Sequence, residues 1–205
     1  MKRLVLAVGV VLSVGANALA QDAGQIGVTL GYPQAVGVIW HVTDNVAVRP
    51  EISFSTGSTE TPGLSSPLPD LSIDFGETSS TTVTTGVSGL FYFGEWDKLR
   101  AYLSPRYTYS RLTSSAGSTF STDVRNSAYT VTGSFGAQYQ LHRRFAVFGE
   151  TGFGYTHTLT SLTTRLRLPV IPVGPTFPTP VEQSEETHSH NWATRTGAGV
   201  IFYFK

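Results

Sequence analysis

The chain closes on the stretch NWATRTGAGVIFYF, Asn191 to Phe204, ahead of Lys205. Alternate residues of it fall into two sets. Trp192, Thr194, Thr196, Ala198, Val200, Phe202 and Phe204 form an apolar face with aromatic rings at both ends. Ala193, Arg195, Gly197, Gly199, Ile201 and Tyr203 form the other, small or polar and carrying a charge. A period of two marks a β-strand, because successive side chains point to opposite faces. An apolar face bounded by rings suits a strand whose outer side lies in lipid, with the rings at the two interfaces.

The same alternation recurs in Gln25–Gly31, Ala35–Val42, Val46–Ser55, Thr81–Phe93, Leu99–Leu112, Ala128–Leu141 and Phe145–Leu159, giving eight strands in all. The connections alternate in length, with turns at 43–45, 94–98 and 142–144 and polar loops at 57–79, 113–126 and 160–189. The first connection, 31–34, holds Pro33, which cannot donate to a ladder. Both strands beside it fall short of the roughly nine to eleven residues a β-span uses. It is expected either as a turn or as a bulge or kink within a differently registered pair.

Lys2 and Arg3, the apolar run Leu4 to Val14 and the Ala18-Leu19-Ala20 site give residues 1–20 the form of a cleaved signal peptide. Without Lys2 and Arg3, twelve basic residues face fourteen acidic ones, a balance that argues against nucleic acid as a partner. The absence of cysteine excludes a disulfide framework and thiolate metal sites. No stretch of the mature chain reads as a transmembrane helix, so a membrane span must be built from strands.

The alternating segments, the asymmetry of turns and loops and the terminal GVIFYF resemble the small eight-stranded outer-membrane β-barrel proteins, the broad OmpA/OmpX/OmpW-like group. The resemblance covers essentially the whole mature chain. It implies an all-β fold, an eight-stranded antiparallel up-and-down transmembrane barrel formed by residues 21–205. It also implies a place in the cell outer membrane, surrounded by outer-membrane lipid, with the short turns in the periplasm and the long loops outside. Val200, Phe202 and Phe204 match the aromatic-ended last strand that barrel-assembly machinery recognises, although Lys205 follows where the usual pattern ends.

Arg49, Glu51, Arg100, Arg106, Glu150 and Arg195 all fall on the polar faces of their strands. On the lipid face near mid-bilayer each charge would cost about 2–4 kcal/mol, so the lumen is where they belong. Eight strands enclose a space that side chains just fill, and charges buried there must pair. The bland reading is an ion-pair plug. The sharper one is a gate or narrow pore that opens when Arg and Glu exchange partners.

His188 and His190 flank Ser189, with Glu182, Glu185 and Glu186 nearby, a set that could ligate a metal or simply form a solvated loop. His157 lies near the rim with Thr158 and Thr160, but no Ser/His/acid spacing accompanies it. No cofactor is implied. The leading expectation is a non-enzymatic protein with a structural or surface-interaction role carried by long loops, whose partner the sequence leaves open. The alternatives are a narrow pore or conduit for small apolar solutes, and a secreted lipocalin-like barrel with its apolar face turned inward.

Overall fold

The computed structural model describes residues 23–32, 35–60, 64–65, 72–73, 77–117, 120–166 and 182–204. The expected signal peptide lies outside them. Eight strands close into one antiparallel ring: β1 (Ile26–Tyr32), β2 (Ala35–Thr43), β3 (Val46–Glu60), β6 (Glu77–Trp96), β7 (Leu99–Gly117), β8 (Phe120–His142), β9 (Phe145–Leu166) and β10 (Glu182–Tyr203). β4 (Leu64–Ser65) and β5 (Ser72–Ile73) pair with each other outside the ring, between β3 and β6 in the chain. Each barrel strand pairs with its neighbour along the chain, and β1 closes the ring against β10, from Gly27↔Tyr203 to Tyr32↔Ala198. This is the up-and-down arrangement the alternation predicts.

The faces fall as the periodicity requires. Val36, Val38, Trp40 and Val42 of β2 point outward, while Ile39 and His41 are buried inside. Phe135, Val131, Tyr139, Phe153, Trp192 and Phe202 are likewise exposed on the outer wall. At one end the strands join through two-residue turns, Asp44-Asn45, Asp97-Lys98 and Arg143-Arg144. Asp97 takes a positive φ of 53°, a left-handed conformation that Asp tolerates better than most residues. A register shift sits beside each turn, between His41 and Thr43, Tyr92 and Gly94, and Gln140 and His142. Such bulges increase the local twist as the rim curls closed.

The first hairpin takes the simpler of its two expected forms, for β1 and β2 pair without a register shift from Ile26↔Trp40 to Gly31↔Ala35. The predicted loops at 57–79, 113–126 and 160–189 need correction where they are described, because residues 57–60, 64–65, 72–73, 77–79, 113–117, 120–126, 160–166 and 182–189 are strand; the rest of those loops lies outside the described residues. β3 runs on to Glu60, β7 and β8 pair out to Ala116↔Thr122, and β10 begins at Glu182 opposite Arg165. These extensions are rich in Ser and Thr. Polar side chains on both faces remove the apolar–polar alternation, yet β-branched Thr and cross-strand hydroxyl pairs still favour a ladder.

The wall is uneven in height. The β2–β3 ladder stops at Val36↔Ile52 and the β1–β10 ladder at Tyr32↔Ala198, while β6 to β10 run for 19 to 23 residues. Among the described residues, Ser53–Glu60 of β3 pair only with β6, and 182–197 of β10 only with β9. The short first hairpin therefore leaves a notch in the barrel side.

Candidate functional site

The lumen is filled in two layers above the tight turns. The lower layer is aromatic and polar. Tyr92 donates to Gln138 Oε1 at 2.9 Å, Gln138 Nε2 donates to the Tyr203 hydroxyl at 3.0 Å, and His41 Nε2 lies 3.3 Å from that hydroxyl. His41 stacks on Tyr92, and Tyr102 meets Tyr92 edge-on. Arg100 lies 4.1 Å above the Tyr92 ring, donates to the Asp44 carbonyl at 2.7 Å and faces Glu95 at 3.5 Å. Rings and partnered polar groups close this end.

The upper layer holds the charges. Arg49, 2% exposed, donates through Nη2 to both Glu150 oxygens, at 2.8 and 3.1 Å. Arg106 donates to Glu51 and lies 3.9 Å from Glu150, while Arg49 Nε is 4.0 Å from Glu51. Two arginines and two glutamates from β3, β7 and β9 thus form a closed neutral square. Phe148 supports it from below, its ring centroid 4.9 Å from the Arg49 guanidinium. The cavity beside this square measures about 20 Å³, enough for about one water.

The six charges expected in the lumen do not form one cluster. Arg49, Glu51, Arg106 and Glu150 come together. Arg100 belongs to the lower layer with Glu95, a residue that the sequence pattern places in a turn. Arg195 is a correction: it is exposed above the plug and donates to Thr156 at 3.2 Å. The lower aromatic layer and Phe148 are a unit that the sequence reading missed. Their signal was present, since Tyr92, Tyr102, Phe148 and Tyr203 are rings on the polar faces of their strands.

Val200 and Phe202 line the outer wall of β10, where Phe202 packs on Phe145 at 5.0 Å, and Phe204 is exposed just past the strand. Among the described residues, no three His, Asp or Glu side chains already surround a point where a metal could sit. Of the carboxylates expected near them, Glu185 leaves β10 on the face opposite His188 and His190, while Glu186 shares their face.

A major outer membrane protein of Thermus thermophilus is similar in structure, with a TM-score of 0.55 and 11% identity, covering 88% of this chain and 98% of that one. The fold is that of a small outer-membrane β-barrel. CarO of Acinetobacter baumannii aligns over 89% of this chain and 98% of its own, at 10% identity and a TM-score of 0.40. No protein-family model matches the sequence, and no curated protein is significantly similar to it.

Proposed function

We propose that this chain is a non-enzymatic protein of the outer membrane, exported behind residues 1–20, whose role is structural and interactive rather than conductive. The observation that carries the reading is the mismatch between strand length and bilayer. β6 to β10 run for 19 to 23 residues, while a tilted span uses roughly nine to eleven. About half of each strand then stands beyond the lipid as a Ser/Thr-rich collar, and it is this collar that meets the outside. Below it, the Arg49–Glu150 and Arg106–Glu51 pairs block the lumen. The barrel is expected to sit silent in a planar bilayer and to show collar epitopes on intact cells. Steady conductance without substitution would overturn the closed-lumen reading.

A second reading, a conduit for small apolar solutes, gains support from the notch. Gly31 and Ala35 line both the luminal cavity beside the charge square and an outer groove formed with Leu30, Val36, Ile52 and Phe54. Widening of that cavity, which holds about one water, would let a solute leave the lumen sideways into lipid beside the plug. Uptake of an apolar fluorescent solute into liposomes, set against a variant with Gly31 and Ala35 both changed to Leu, separates the two readings.

A further inference from the structure

The outer face of β9 and β10 carries a cluster that neither the plug nor the collar uses. His188 and His190 are two residues apart on β10, so both imidazoles leave the strand on the same side. β9 places His157 directly opposite His190. The His157 ring lies 4.7 Å from that of His190 and 5.9 Å from that of His188, centroid to centroid. The Nδ1 atoms of His157 and His190 are 3.1 Å apart, and the Tyr155 hydroxyl is 2.7 Å from His190 Nδ1.

Two imidazole nitrogens bound to one tetrahedral ion at ~2.0–2.1 Å are about 3.3 Å apart. The His157–His190 spacing is close to that value. A His-x-His pair on one strand with a third histidine across the ladder also supplies the three-imidazole set, one place left open, that zinc uses in catalytic sites. The neighbours favour a cation. Tyr129 lies across β8 from His157, Leu159 across from His188, Trp192 follows His190 on the same face, and Glu186 precedes His188. Glu186 adds a negative charge beside His188, and Arg125, an exposed cation of the same face, lies one strand further off, across Ser161 from Glu186.

We propose that His157, His188 and His190 form a surface site for one divalent transition-metal ion of the zinc, nickel and copper class, to which imidazole is well suited. His157 and His190 already stand at ligand spacing. Among the described residues no three such side chains are placed to hold a metal ion, so the exposed His188 must turn about its side-chain torsions to complete the set. The Tyr155 hydroxyl gives up its contact with His190 Nδ1 when that nitrogen binds the metal, and it can then hydrogen-bond to a metal-bound water.

The test uses the full mature chain without a histidine tag, folded in detergent and stripped with chelator. It is titrated with Zn2+ calorimetrically and with Co2+, whose visible absorption reports tetrahedral nitrogen ligation. One equivalent is expected to bind with a dissociation constant on the order of micromolar. His157→Gln and His188→Gln should each weaken it by about tenfold or more, and Ser189→Ala should not. Retained heat-modifiability shows that each variant is folded. Failure to saturate below about 100 μM would overturn the proposal. So would affinity unchanged in His157→Gln, which would mean that the cross-strand histidine is not a ligand.

Discussion

Arg49 is the residue on which the interior most depends. It is almost fully buried, and its charge is matched by Glu150 at 2.8 Å, by Glu51 nearby and by the Phe148 face. Breaking such a pair from one side strands a charge, at a cost of about 3–5 kcal/mol. Arg49→Met or Glu150→Leu alone should therefore lower the urea midpoint of the folded gel band. The double variant should recover most of the loss, because a well-packed apolar pair can replace a buried ion pair. A double variant no better than either single one would show that the pair is not the main term. Gly136 is a second sensitive point: a Cβ there would lie 2.4–2.7 Å from the Tyr102 ring and hydroxyl. Gly136→Val should lower folded yield sharply, whereas Gly133→Val, where a Cβ meets nothing within 4 Å, should not.

At the scale of the strand, the proposed function divides the outer wall into a lipid band and a collar. Phe135 lies midway between the Tyr129 and Tyr139 rows of β8, on the outer face. Phe135→Arg should destabilise the barrel by about 2–4 kcal/mol, while Ser115→Arg, also outward but in the collar, should be near neutral. Equal costs, measured by urea unfolding in lipid vesicles, would contradict that division. An epitope inserted after Gly117 should leave folding intact and be labelled on intact cells. Legibility in the sequence follows the same division. Inside the lipid band the two faces meet different solvents, so alternation marks each strand and its facing almost residue by residue. In the collar both faces meet water, and stretches such as Ser114-Ser115-Ala116 and Thr160-Ser161-Leu162 read as loop although they pair in register. The charge square was half legible: facing could be assigned from parity, but strand height could not. Arg195 thus shares a face with Glu150 and yet lies above the plug.

For the whole molecule, the uneven wall matters most. Seven residues in β1 and nine in β2, against 23 in β8, give one low side above a sealed floor. Among the described residues, the paired charges and the rings beneath them fill the barrel below the level of the notch. Lipid band, collar and plug all depend on the apolar face meeting lipid. To check this, membranes carrying the protein are washed with alkaline carbonate, and the detergent extract is run on a gel with and without boiling. The protein is expected to stay in the membrane and to migrate differently when unboiled, as a closed barrel does. Release by carbonate with no mobility shift would mean that the apolar face is not in lipid, and the assignment of inside and outside would have to be reversed.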